Sequence, residues 1–403
     1  MSIARTPSNI VAVERRRGRR ASVFVNAHGY RVEALDQRQV AAHRGEWLAL
    51  SSRSIEPNVF FGPDFALAAA NCGIGEAPVF VVIRRMVEGR MQLVGVLPLV
   101  ARDLRSGRRT VRIWSHKYLA AGTPLLDRRY FKGAFDAALD WLASLRPSRC
   151  AILIPAIRVD GELARMTVAR ARRLGGAARP MGGHERSQFL PTDASGIRFS
   201  RKTLKSFARH ETQLSNHGDL SFHIHRDPKR LAAALDQFLE LEAMGWKGER
   251  GTALAKDESV ERFARAIVNG LAERGCCLIA SLELAGRPIA MSVLPVESRV
   301  AAFWKTAYDE RFAKYSPGLM MLVKLSEALR DSGEIDSIDS CAAADDLTML
   351  RVWRGRIRIA DLLISTMTRP SVLFGVIDAR ERAKRSMRGA AKSIFSTIRK
   401  RLA

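Results

Sequence analysis

Three apolar segments follow one another between Cys276 and Tyr308 with almost no chain between them: Cys276–Leu284, Arg287–Pro295 and Arg299–Tyr308. Ala285-Gly286 joins the first two and is a tight hairpin signal. Strands joined this briefly must pair antiparallel, because a parallel pair needs a crossover of roughly a dozen residues. The second half of the chain is therefore committed to an antiparallel meander, and neighbouring helices must cover it. Two candidates precede it. "PKRLAAALDQFLELEAMGW" places Leu231, Leu235, Phe238 and Leu239 three or four residues apart, and "SVERFARAIVNGLAERG" is a second helix. A helix over Pro317–Ser332 and a short strand over Glu334–Asp339 follow.

The first half reads as a rougher version of the same rhythm. "QVAAHRGEWLALSS" and "PDFALAAANCG" are helices, and "APVFVVIRRMVEGRMQLVGVLPLVARD" is a hairpin turning at Glu88-Gly89. A helix near Phe131–Leu145, the buried strand "CAILIPAI" and a helix stopping at the glycines of "VARARRLGG" complete it. No residue-level repeat is visible. The polar stretch "HERSQFLPTDASGIRF" (His184–Phe199) marks the boundary. With 403 residues, two domains are expected. The predicted fold is α+β, with two tandem domains (26–190 and 191–368), each a mostly antiparallel sheet flanked by helices. A basic tail (1–25) precedes them, and a basic amphipathic helix (369–403) follows.

The formal charge of +25 calls for an acidic partner, unless the arginine excess only reflects a GC-rich coding sequence. In Ala379–Ala403, nine basic residues stand against one acidic, and Ala383, Met387, Ala391, Ile394, Ile398 and Leu402 recur at helical spacing. That pattern suits an anionic membrane surface or an acidic partner, and equally a solvated tail or one packed on its own domain. No apolar run is long enough to span a membrane and no signal peptide is seen, so a cytoplasmic chain, peripheral at the inner membrane, is expected. The five cysteines (Cys72, Cys150, Cys276, Cys277, Cys341) contain no C-x-x-C and predict neither disulfides nor zinc. His223-x-His225 lacks a third ligand, and Asp336, Asp339, Asp345 and Asp346 lack a ligand spacing, so no metal is expected. No G-x-S-x-G elbow, helix-turn-helix or zinc finger appears, so neither serine hydrolysis nor specific nucleic-acid reading is expected.

The chemistry concentrates around "KTAYDERFAKYSPGLMML". A helix opening on Ser316-Pro317-Gly318 leaves backbone N–H groups free at its positive end, where an anion binds. Pro317 loses nothing there and Gly318 admits close approach. The same residues also suit an ordinary capped helix start. Tyr308, at the end of the third strand, could give a proton to a leaving group, and Asp309 after it could take one. Lys305 lies on the same strand, facing an anionic ligand or solvent. In "LEAMGWKGERGTAL", Gly245, Gly248 and Gly251 predict a shaped loop rather than a helix. There Trp246 could stack on a sugar, Lys247 bind phosphate and Glu242 act as a base. Asp339 is a candidate for the acceptor side.

"FLELEAMGWKGERGTAL", "GRPIAMSVL", "FWKTAYDERFAKYSPGLMML" and "IDSCAAADDLTMLRVWRGR" together resemble the CelD-type branch of the GNAT acyltransferase superfamily. "EWLALSSRSIEPNVFFGPDF" and "LVGVLPLVAR" extend the resemblance into the first half, over about residues 30–365. That branch is associated with cellulose and exopolysaccharide synthesis and is similar to the Fem-type tandem GNAT transferases. The resemblance implies direct transfer of an acetyl or other acyl group from acyl-CoA, without a metal. The acceptor would be an amine or hydroxyl of a small molecule or saccharide. It places Tyr315, Ser316, Pro317, Gly318 and Lys305 at the cofactor, Tyr308, Asp309 and Glu242 at the reaction, and Trp246, Lys247 and Asp339 at the acceptor. Where ordinary GNAT enzymes carry a glycine-rich pyrophosphate loop, this chain has "YSPGLM". An aminoacyl-tRNA-dependent transferase and a non-catalytic GNAT-like module that binds nucleic acid or an anionic membrane remain the alternatives.

Overall fold

The computed structural model describes residues 23–402, apart from residue 107 and segments 146–150, 193–200, 344–346 and 367–371. Residues 1–22 of the basic tail, Cys150, Asp345 and Asp346 lie outside the described residues, as do the side chains beyond 387. The fold is mixed α/β, with two sheets flanked by helices.

The expected hairpins form. Pro78–Val87 pairs with Arg90–Val100, and Cys277–Leu284 pairs with Arg287–Glu297. Glu88 and Ala285 turn with positive φ, and each is followed by a glycine that does the same. The helices Phe131–Leu145 and Pro317–Ser332 fall where periodicity places them. "QVAAHRGEWLALSS" instead divides into helices Gln37–Ala41 and Arg44–Ser52, the first closed by an Asp36–Gln39 capping box. The loop expected at Gly245–Gly251 contains a one-turn helix, Trp246–Glu249. Gly248 permits it, because a Cβ there would stand 1.7 Å from the Ala243 carbonyl oxygen.

The two halves do not own separate sheets. Five strands of the first half form one sheet, which includes the Pro78–Val100 hairpin. The other sheet has ten strands and runs through both halves. Strand Gly355–Ser365, near the C-terminus, inserts between Ala151–Arg158 and Ala178–Phe189. Ala178–Phe189 contains the polar "HERSQF" expected to be a boundary. It is a strand because both its edges are paired and its Arg186, only 4% exposed, is bound to Asp339. The sheet thus has strands on both sides of the boundary expected at residue 190. Helix Val372–Leu402 docks its first turns on this sheet through Phe374 and Ile377, against Leu153 and Leu363.

A repeat that is invisible in the sequence appears in the ladders. Thr110–Arg112 pairs parallel with Ala151–Leu153, and Val300–Ala302 pairs parallel with Ser337–Asp339. Each ladder ends with one further bond: Ile113 N–H to the Leu153 oxygen, and Phe303 N–H to the Asp339 oxygen, both 2.9 Å. Trp114 and Trp304 come next, and Tyr118 and Tyr308 each follow four residues later. In both halves the connecting helix, Phe131–Leu145 or Pro317–Ser332, lies between the paired strands in the chain.

Candidate active site

The short parallel ladder of the second half positions the site. Beyond Phe303 the chain leaves Ser337–Asp339 and continues as Lys305–Tyr308, paired only with Ala290–Val293. The strands splay, and the start of helix Pro317–Ser332 closes the gap. A cavity of about 470 Å³ occupies it. Leu241, Phe303, Leu319, Leu322 and Met349 supply apolar walls. Polar atoms come from Glu242, Lys247, Thr306, Tyr308, Glu310 and Ser316.

The helix start is more open than an ordinary cap. Ser316 sits in the left-handed region at φ 54° and its hydroxyl caps nothing. That conformation costs about 1 kcal/mol in a residue with a side chain. The Ser316 carbonyl takes the Leu319 and Met320 amides, both at 3.1 Å. Pro317 has no N–H, so the Gly318 amide is left without a protein partner among the described residues. The Tyr308 ring stands 3.6 Å from where a Gly318 Cβ would be, so Tyr308 and the helix start lie side by side on the cavity wall. Tyr308 is 36% exposed and its hydroxyl is available to a ligand.

On the opposite wall, Glu242 is 2% exposed. Its Oε1 accepts from the Lys247 ammonium at 2.9 Å and its Oε2 from the Leu254 amide at 2.8 Å. Lys247 also donates to the Thr306 carbonyl at 2.7 Å, tying the one-turn helix to the splayed strand. The indole of Trp246 forms part of the rim, with the Arg250 guanidinium 4.6 Å from its ring centre.

Seven candidates therefore meet at one cavity: Glu242, Trp246, Lys247, Tyr308, Ser316, Pro317 and Gly318. Four others point elsewhere. Asp309 caps the turn Glu310–Tyr315 and grips Arg311 at 2.6 Å; that hydrogen bond holds its carboxyl below the usual range. Tyr315 is buried against His210 and His217. Asp339 is committed to Arg186. Lys305 turns toward the first half, its ammonium 4.7 Å from the centre of the Tyr118 ring. Burial pushes Lys305 down to about 8; Lys247 and Lys117 add to the fall and Glu242 opposes it.

Glu310 takes the place expected for Asp309. Its Oε1 accepts from the Trp246 amide at 2.6 Å, and it lines the cavity. The Asp-x-Arg order at 309–311 carried the signal: an acid that caps its own turn and pairs two residues on is already spent.

The fold is similar to that of GNAT-type proteins. Residues 201–347 match the family model described as an acetyltransferase (GNAT) domain, which includes every cavity residue except Met349. No curated protein sequence matches the chain. Among solved structures, FemX shares 13% identity over 79% of this chain and 95% of its own, with a TM-score of 0.52. A domain (DUF2156) from Agrobacterium fabrum, described as the C-terminal part of a lysylphosphatidylglycerol synthetase, covers 84% of this chain and 96% of its own at 11% identity and a TM-score of 0.49. A tandem GNAT protein from the clavulanic acid biosynthesis pathway covers 85% and 99% at 15% identity and a TM-score of 0.38.

Proposed function

We propose that this chain is an acyltransferase of the CelD-type GNAT branch. It moves an acetyl or longer acyl group from coenzyme A directly to an amine or hydroxyl of a saccharide-bearing envelope or exopolysaccharide precursor. The observation that carries this reading is the splayed-strand cavity, where the free Gly318 amide and Tyr308 lie side by side on the wall. The apolar walls suit the pantetheine arm and its acyl group, and the positive helix end suits phosphate. Residues 191–368 hold the transfer site in this reading, and the first half is its wall and support.

The attacking nitrogen or oxygen bonds to the thioester carbonyl carbon and the carbon–sulfur bond breaks. Tyr308 gives its proton to the departing thiolate. Glu310, at the cavity edge, takes the proton of the acceptor, and Glu242 holds Lys247 in place. Trp246 at the rim offers a stacking face for a sugar. Helix Val372–Leu402, with exposed Val372, Val376 and Met387 among basic residues, would hold the protein at an anionic membrane face.

One observation favours a different donor. A single spare amide at Gly318 replaces the usual glycine-rich pyrophosphate cradle, which fits an aminoacyl-tRNA donor as in the Fem-type branch. Calorimetric titration with acetyl-CoA and longer acyl-CoA at moderate salt separates the two. Saturable binding that disappears in Gly318→Trp supports the coenzyme A reading. Absence of binding by every acyl-CoA sinks it, and binding of charged tRNA would then support the second donor. Binding dominated by salt, with neither donor saturating, would instead mark a non-catalytic module.

A further inference from the structure

The first half carries its own cleft where its parallel ladder ends. It measures about 930 Å³, and Ile113, Ser115, Leu153 and Pro155 form its sheet side. The helix beginning at Val372 forms the other side. It shares no residue with the acyl cavity.

Its chemistry is cationic. Arg102, Arg108, Arg109 and Arg112 reach it from the first half, and Arg380, Lys384 and Arg385 from the helix. Three carboxylates line it, Glu76, Asp361 and Glu381, and a fourth, Asp103, is buried beneath. Seven cations less four carboxylates leaves an excess of three positive charges.

Every one of these acids is already engaged. Asp103 holds Arg112 at 2.6 Å and Arg108 at 3.5 Å, and Glu76 holds Arg112 at 2.9 Å and Arg102 at 3.7 Å. Glu381 holds Lys384 at 2.8 Å, and Asp361 holds Arg385. Arg380, exposed on the helix, has no carboxylate partner among the described residues. Like charges crowded into one cleft raise its potential until an anion neutralises them. Arginine forks match the paired oxygens of a phosphate, and a phosphate brings more negative charge to meet this excess than a lone carboxylate or halide does. Leu373 and Val376 also line the cleft, so an apolar lip borders the cations.

We propose that this cleft is a second ligand site, taking a phosphate-bearing anion of two or more negative charges, drawn from solution or from a lipid surface. It does not depend on the acyl-transfer reading. Inorganic pyrophosphate is the first probe, titrated into the full chain at constant ionic strength, and vesicles of phosphatidylglycerol against phosphatidylcholine are the second. The test variant is Arg108→Glu with Arg380→Glu, both at exposed positions. The control is Arg165→Glu with Arg173→Glu, an equal charge change on helix Glu162–Leu174.

The expected result is saturable binding that falls about 10-fold or more in the cleft variant and less than about 2-fold in the control. Pyrophosphate binding alone assigns a soluble ligand. Anionic-vesicle binding that pyrophosphate displaces assigns a lipid headgroup. Binding of neither probe, or equal weakening by the control, overturns the proposal. If the cleft variant fails to show the unfolding transition of the parent, Arg380→Gln alone replaces it.

Discussion

Trp304–Tyr308 and Trp114–Tyr118 occupy equivalent places in the two halves, yet only one opens onto a cavity beneath a helix start. In the second half the chain after Trp304 stays in a strand, and Tyr308 ends beside the helix that begins Pro317-Gly318. In the first half the chain after Trp114 leaves the sheet. Tyr118 is 6% exposed, and its carbonyl accepts from the Trp304 indole at 3.0 Å. The first-half helix opens on Phe131, buried in the core, where the second half has proline and glycine. The same ladder can thus frame a pocket or a plug. The choice lies in four residues after the tryptophan and two at the helix start. Plugging the first-half wedge gives the halves a shared aromatic core of Phe65, His116, Phe263 and Trp304.

The largest expected effect tests the helix starts. Gly318→Trp should lower acyl-CoA affinity at least about 100-fold by filling the gap beside Tyr308. Lys132→Trp, the corresponding exposed position in the first half, should leave it unchanged. Equal losses in both, measured by calorimetry, would break the comparison. Next, Tyr308→Phe should lower kcat roughly 100-fold with little change in KM, because only the proton donor is lost. Tyr118→Phe should be near neutral, since Trp304 is held by the Tyr118 backbone.

Acid sharpens the comparison further. His116 is buried among aromatic rings, and that burial lowers it to about 4 from 6.5. Its folded pKa is depressed, so the unfolded chain binds the extra proton between these values. Stability is lost as pH falls from about 6.5 to 4, by at most about 3 kcal/mol. His116→Phe should flatten that part of the profile in denaturant titrations across pH. The smallest effect belongs to Lys305, at about 8 against 10.5. Here too the unfolded chain binds more protons between the two values, so stability rises with pH across that window. Lys305→Met should remove about 1–2 kcal/mol of this rise, less than the pKa gap allows because the Tyr118 and Trp304 rings offset part of the burial cost.

What the sequence determined by itself is local. Hairpin turns at Glu88-Gly89 and Ala285-Gly286, amphipathic helices and the Ser316-Pro317-Gly318 start are written within a few residues, where turn chemistry and periodicity act. Glu242, Trp246, Lys247 and Tyr308, which line one cavity, were legible as candidates because they sit beside those local signals. Asp309 and Glu310 differ in the sequence only by the Asp-x-Arg order, and the turn shows that Asp309 is the one that caps it. Tertiary structure alone decided the rest. Strand Gly355–Ser365 joins the first half's strands, polar His184–Phe189 becomes an interior strand, and Lys305 lies beneath Tyr118. The cationic cleft gathers arginines more than 250 residues apart in the chain, such as Arg112 and Arg380. Such pairings depend on which surfaces a distant segment must cover, and no local pattern in the chain encodes that partner.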